Sequence, residues 1–417
     1  PVIGLLPIAL NALFPMIPMA DIISQYASDS IILVLSGMII TASWECTGLN
    51  KRIATAFLNL VGTSVRAQVM FWFLLSTALS TILPNLVVAA TISPIAMSML
   101  KYVGEGDIAN SKAGSMVVMS VAWGAGLGGM ATPIGSASNL VVIEYLEQVS
   151  GREYMYIDWV VRFAPIMLTL LVTCTVYVFL ISPKNATLAG SKEYLAKVRA
   201  DMGRMSRDEA LCFTVFLVAV GLAFTRSLYA ELLPGLAPAY SFAACAIVLF
   251  LIPGKESKRI VNWKKVESEV DWGLLYMFGG ALSLGKMLTG TGADVAIGTL
   301  IGNTGVSSTL GLVFIIVTFT LVMSDLTSNG ATASMCLPIT MAIATALGAN
   351  ATPLLYITAI GINLSFTMPT SIRAIPVGYG LKPSFLAKKG IVLSAIIIAE
   401  MTFLGWALIE FWPAFSL

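Results

Sequence analysis

Two asparagines occupy equivalent places in an otherwise apolar chain. Asn85 closes the knot STILPN at 80–85 and precedes Pro94 by 94 − 85 = 9 residues; Asn329 lies in SDLTSNG at 324–330 and precedes Pro338 by 338 − 329 = 9. A chain that turns at such a knot frees backbone N–H groups at the start of the next helix. Together with an Asn amide and Ser or Thr hydroxyls, those groups bind carboxylates. Ser328, Asn329, Gly330 and Thr332 make the more polar tip, and Pro84, Asn85 and Leu86 the less polar one. Two tips facing each other suit a molecule with two carboxylates, and half-helix N-termini add positive potential without a mobile charge. A lone asparagine at such a place also serves as a plain helix cap.

A third feature is a cation. GINLSFTMPTSIRAIPVGYG, at 361–380, is apolar or small almost throughout, yet it holds Arg373; no Lys or Arg lies between Lys286 and Arg373. A charge at bilayer depth costs about 2.5–3.5 kcal/mol on insertion scales and marks a functional candidate. Three placements compete: the side chain snorkels to headgroups near Lys382, pairs with an acid such as Asp325, or supplies fixed positive charge to an anion site, where its fork would grip a carboxylate bidentately.

These groups need a membrane setting, and composition supplies one. Of 417 residues, 57% are hydrophobic and 11% charged, with mean hydropathy +0.88. Soluble domains carry roughly 25% charged residues. The chain therefore reads as an all-α, multi-pass protein of the plasma (inner) membrane. Formal net charge is +2, so no global field points to nucleic acid, and the absence of histidine removes His-based nucleophiles, metal sites and proton relays. No nucleophile–base pair emerges, so the reading is not an enzyme; a channel would need a continuous pore rather than closed tips. The five cysteines lie far apart and read as small buried hydrophobes. Tryptophans 44, 72, 123, 159, 272 and 406 read by default as interface anchors.

Apolar segments of spanning length cover about 2–20, 29–48, 66–99, 114–147, 156–182, 209–226, 237–252, 272–289, 307–343, 354–380 and 385–412. Segments 66–99 and 307–343 are too long for one crossing and carry the knots, so each reads as a re-entrant hairpin whose tip stops inside the protein. Lys/Arg-rich stretches 183–208 and 254–271 fall on one side, taken as cytoplasmic, with Lys51, Arg52, Arg66 and Lys101; 290–306 and 344–353 fall outside. The first hairpin then opens from the cytoplasm and the second from outside. Segments also repeat: Gly37, Thr47 and Gly48 match Gly279, Thr289 and Gly290 at an offset of 279 − 37 = 242. Each hairpin precedes a span interrupted by Pro and small polar residues, GGMATPIGSASNLVV at 128–142 and SFTMPTSIRAIPVG at 365–378. Residues 1–182 form one inverted repeat, 183–208 a cytoplasmic linker and 209–417 the second repeat. Interrupted spans in matching positions of inverted halves point to a carrier's midplane site.

On these segments the chain resembles the divalent anion/sodium symporter family, the INDY-type dicarboxylate transporters. TSNGATASMCLP at 327–338 is similar to that family's second Ser-Asn-Thr hairpin signature and LPNLVVAATISP at 83–94 to a degenerate first; GSASN at 135–139 and SIRAI at 371–375 occupy the two breaks. SWECTGLNKRIA at 43–54 is similar to its early amphipathic region. The resemblance implies a homodimer in which a scaffold holds a moving transport domain, and di- or tricarboxylate transport by an elevator motion. It implies substrate contacts from Pro84, Asn85, Leu86, Ser136, Ser328, Asn329, Gly330, Pro369 and Thr370. Gly135, Ser138, Asn139, Asp325 and Ser371 would join Arg373 as ion-site or charge-compensating residues. The second break lacks the family's Pro-Pro-Asn and carries Arg373 where relatives coordinate sodium. The expectation is therefore sodium-independent exchange of C4/C5 dicarboxylates such as malate, succinate, fumarate or 2-oxoglutarate, with no cofactor and sodium disfavoured. The alternative is a sodium-coupled di- or tricarboxylate symporter.

Overall fold

The computed structural model describes residues 2–57, 62–184, 186–254, 259–293 and 308–416, and the regular structure there is helical apart from isolated bridges such as Ser64–Thr187. Among the described residues, six helices are long and apolar enough to cross a membrane; shorter apolar helices, including Val65–Ser80 and Ala351–Asn363, accompany them. Length alone does not make a crossing: three of the six, Asn85–Tyr102, Thr309–Leu326 and Asn329–Leu347, are arms of re-entrant hairpins that stop inside the protein.

The first hairpin consists of helices Val65–Ser80 and Asn85–Tyr102 around Thr81–Pro84. The second consists of Thr309–Leu326 and Asn329–Leu347 around Thr327–Ser328. Ser64 and Ser308 open the two leading arms by accepting hydrogen bonds from the amides of Ala67 and Gly311. Each returning arm begins at its asparagine and carries its proline inside the helix, Pro94 and Pro338. Helix Lys112–Gly128 follows the first hairpin, breaks at 129–136, and resumes as Ala137–Ser150. Helix Ala351–Asn363 follows the second, breaks at 364–370, and continues as the turn Ser371–Arg373 and the short helix Ala374–Gly378.

Small residues allow these elements to close on one another. A methyl at Gly128 would collide with the Thr77 carbonyl, and one at Gly361 with the Thr320 hydroxyl, so each unbroken half-helix lies directly against the leading arm of its own hairpin. Hairpins and broken helices pack into one group. Helices Asp29–Thr47, Arg207–Phe224 and Pro238–Leu251 pack into another, with Trp272–Thr291 between them against the returning arm of the second hairpin.

Two sequence expectations change. The segment 2–20 is not one span: helix Leu6–Leu13 ends at Phe14, and Pro15 and Pro18 keep the chain extended until Met19–Ile23. Tryptophans 44, 72, 123 and 159 are fully buried in helix packing rather than anchored at an interface. Trp159 stacks on Phe163, with centroids 4.2 Å apart, and Trp44 meets Phe216 edge-on at 4.7 Å. The polar stretch 183–208 contains a helix, Ser191–Asp201, and is tied to the first hairpin by Val65 N–H to Ala186 O (2.9 Å) and Gln68 Nε2 to Ser191 Oγ (3.1 Å). Of the loop expected at 290–306, residues 294–306 lie outside the described residues.

Candidate functional site

Both hairpin tips and both breaks meet in one cavity of about 380 Å³. Pro84, Asn85 and Leu86 enter it from the first tip and Ser328, Asn329 and Gly330 from the second. Ser136 and Ser138 line it from the first break and Ser371 from the second. Three helices begin at this wall, at Asn85, Ala137 and Asn329, so the positive ends of three helix dipoles converge on it.

The asparagines are free to bind. Among the described residues neither the Asn85 nor the Asn329 side chain has a protein hydrogen-bond partner, so both Nδ2 groups are free to donate to an anion, and the buried Asn329 Oδ1 is also unpaired. Ser328 instead caps its helix, its Oγ accepting from Ala331 N–H at 3.2 Å. Ser136 and Ser138 share a hydrogen bond of 2.8 Å. Ser371 has φ of +51°, the single non-glycine in the left-handed region among the described residues, and it sits at the cavity wall. Such backbone carries about 1–3 kcal/mol of strain and is kept only where its surroundings over-determine it.

The remaining expected residues stand behind the wall and hold the breaks. Asn139 Nδ2 donates to the carbonyls of Gly129 and Thr132, both at 2.8 Å, and its Oδ1 accepts from Asn363 Nδ2 at 2.8 Å. This bond joins the two broken helices across 224 residues of sequence. Gly135 lies where a methyl would strike the Gly129 carbonyl. Asp325 Oδ1 accepts from the amides of Phe366 (2.8 Å) and Thr367 (2.9 Å), and its backbone carbonyl accepts from Thr370 Oγ1 (3.0 Å). Pro369 and Thr370, expected at the substrate, are not among the cavity's lining residues.

Arg373 is 1% exposed, which excludes a headgroup contact. Its turn packs on helices Asn85–Tyr102 and Lys112–Gly128. One guanidinium nitrogen donates to Thr370 Oγ1 at 3.2 Å, and the buried Nε has no partner. Asp325 is the carboxylate that acts on it electrostatically, but no ion pair within 4 Å forms among the described residues. Arg373 is therefore a buried cation two residues beyond Ser371 at the wall and does not itself line the cavity.

Three residues at the mouth carry the opposite charge. Glu45, Glu269 and Asp271 line the cavity on the lysine-rich side, where Lys264 and Lys265 precede them. Glu45 lies near the end of the apolar segment 29–48, and the other two lie in the polar stretch 254–271, with no sequence signal beyond their charge. An anion entering past them meets its donors only at the tips.

A model of the citrate transporter family matches residues 1–361. The sodium-dependent dicarboxylate transporter SdcS of Staphylococcus saprophyticus is 28% identical over 404 residues, which cover 90% of this chain and 77% of that protein. Its Staphylococcus aureus counterpart is 28% identical over 416 residues, covering 95% and 80%. Among solved structures, the Alcanivorax borkumensis YdaH transporter, described as having an unusual topology, superposes with a TM-score of 0.64 over 95% of this chain and 88% of that one at 13% identity, a likeness of fold.

Proposed function

The chain belongs to the citrate transporter family, and from that premise we propose that it carries C4/C5 dicarboxylates across the membrane by alternating exposure of the cavity at the two hairpin tips. The observation that carries this reading is the pair of side chains without protein partners, Asn85 and Asn329, set on opposite tips in one cavity at the start of two helices. Each tip offers an amide and free backbone N–H groups to one carboxylate, so a dianion of matching length bridges them. The names of the staphylococcal relatives support the substrate class.

The mode we propose is exchange. Arg373 is a cation that cannot leave, buried behind the second break with its Nε unpaired. Asp325 acts on it from beyond ion-pair distance and offsets it only in part; a bound dianion completes the balance, and an empty carrier leaves residual positive charge at membrane depth, where such charge is costly. Return is then favoured only with a second anion aboard. Sodium-coupled symport is the second reading. It is favoured by the relatives' names, and by two buried acceptor oxygens without donors, Asn329 Oδ1 and Asn363 Oδ1, which suit a hard cation.

Uptake of labelled succinate or 2-oxoglutarate into proteoliposomes separates them. Uptake only into vesicles preloaded with dicarboxylate, indifferent to a sodium gradient and abolished in Arg373→Gln, is the expected result. Sodium-driven uptake into empty vesicles would replace exchange by symport, and no dicarboxylate uptake under either condition would overturn the substrate assignment.

A further inference from the structure

We infer that Arg226 and Glu153 form a latch that holds the cavity closed at the end opposite its mouth; this rests on the carrier reading above. The cavity opens beside Glu45, Glu269 and Asp271, at the lysine-rich ends of the helices. At the other end, the two helix groups meet through charge. Arg226 Nε donates to Glu153 Oε1 at 2.7 Å and a terminal nitrogen to Glu153 Oε2 at 3.0 Å, a bidentate pair.

Each partner is fixed to a different group. The Arg226 guanidinium also donates to the carbonyls of Leu233 (2.8 Å) and Pro234 (2.9 Å), which pins it to the loop between helices Arg207–Phe224 and Pro238–Leu251. Glu153 sits in the segment between helices Ala137–Ser150 and Tyr156–Ile181. Its neighbour Tyr154 ties that segment to the broken helices, with its amide on Glu147 Oε1 (2.8 Å) and its hydroxyl on the Tyr356 hydroxyl (2.9 Å). Burial pushes the Tyr154 hydroxyl well above its ordinary range, so it stays protonated as a hydrogen-bonding anchor. Ser30 makes a second crossing at the same end, its Oγ 2.7 Å from Glu144 Oε2.

At the open end the ion pair of Arg52 Nε with Glu209 Oε1, at 2.8 Å, joins the segment after helix Asp29–Thr47 to helix Arg207–Phe224 within one group, and among the described residues the direct side-chain crossing between groups there is the neutral contact from Asn50 Nδ2 to Thr91 Oγ1, at 3.4 Å. An ion pair at the closed end and a thin contact at the open end bias the molecule toward the state seen. The fork on Arg226 suits this task, because its other donors stay satisfied by Leu233 and Pro234 when Glu153 departs. Glu153 is 29% exposed on its side chain, so water can solvate it once released.

The test is labelling of a single cysteine at Val87, which lines the cavity next to the first tip. Val87→Cys is placed in a Cys46→Ser background, since Cys46 is the one native cysteine that is not buried. A membrane-impermeant maleimide is applied from either side of oriented vesicles. Glu153→Gln should raise the labelling rate from the latched side on the order of tenfold, the size of a typical two-state coupling. Arg226→Gln should do the same, and the double variant should add nothing further. If Arg226→Gln fails to insert, Glu153→Gln alone decides. Unchanged latched-side labelling in Glu153→Gln overturns the latch. Dicarboxylate uptake by the same vesicles is scored separately: its absence in the parent would sink the carrier reading while the labelling ratio still judges the latch.

Discussion

The tip asparagines give the sharpest quantitative expectation. Removing a side chain usually mixes lost binding with lost stability. Here the two separate, because the Asn85 side chain has no protein hydrogen bond among the described residues and the buried Asn329 Oδ1 has no donor. Asn85→Ala and Asn329→Ala should therefore unfold within about 0.5 kcal/mol of the parent, as for a substitution that breaks no native contact. Each should lose one hydrogen bond to a carboxylate, worth about 1.5–3 kcal/mol. That converts to a roughly 10- to 150-fold rise in the apparent dissociation constant for succinate. If the tips hold different carboxylates, the double variant should lose the product of the two factors, since well-separated sites add. Binding by calorimetry or tryptophan quenching in detergent, with thermal unfolding alongside, reads both quantities. Loss of affinity below threefold in either variant with stability intact would refute the two-tip cradle; a drop in unfolding temperature instead would mean that the amides cap the hairpins.

Two further expectations concern the breaks. Asp325→Ala strands the buried amides of Phe366 and Thr367 and should destabilise the protein by about 2–6 kcal/mol, while Asp325→Asn, which keeps the acceptor oxygen, should cost far less; thermal unfolding of both checks this. Ser371→Val puts a β-branched side chain at φ +51° and should cost about 1–2 kcal/mol, whereas Ser371→Gly should be neutral or stabilising in the same assay.

Much of this arrangement was legible before any coordinates. The knots around Asn85 and Asn329 marked both tips, Pro133 and Pro369 interrupted the two following spans, and matching spacing tied the tips together. What stayed hidden depends on contact between distant segments. Nothing local in Asn139 or Asn363 indicates that their amides meet, because any polar residue between helices carries the same signal. Arg373 was ambiguous for a related reason: a long side chain can reach water or remain inside, and only packing on the first repeat's helices decides it. Glu153 and Arg226 carry no sequence signal of their pairing, since a pair 73 residues apart leaves no periodicity. The prolines at 15 and 18 were visible, yet apolar composition outweighed them in the span at 2–20, where chain breaking should have prevailed.

The two breaks share a position in the repeat but not an electrostatic sign. The first leaves carbonyls to be satisfied, and Asn139 supplies donors to Gly129 and Thr132. The second leaves amides to be satisfied, and Asp325 supplies a carboxylate to Phe366 and Thr367. A neutral amide suffices for the first task; the second brings a negative charge into a buried place, which demands compensation. Arg373 lies where it can provide it, joined through Thr370, whose hydroxyl accepts from the guanidinium and donates to the Asp325 carbonyl. The arginine thus has two tasks: holding the second break against the acid that shapes it, and biasing the cavity toward anions. A neutral replacement at 373 disturbs both, whereas a change at Asn139 disturbs geometry alone. That difference follows from which backbone groups each break leaves unpaired, and it accounts for a cation at the second break and none in the first break, 129–136.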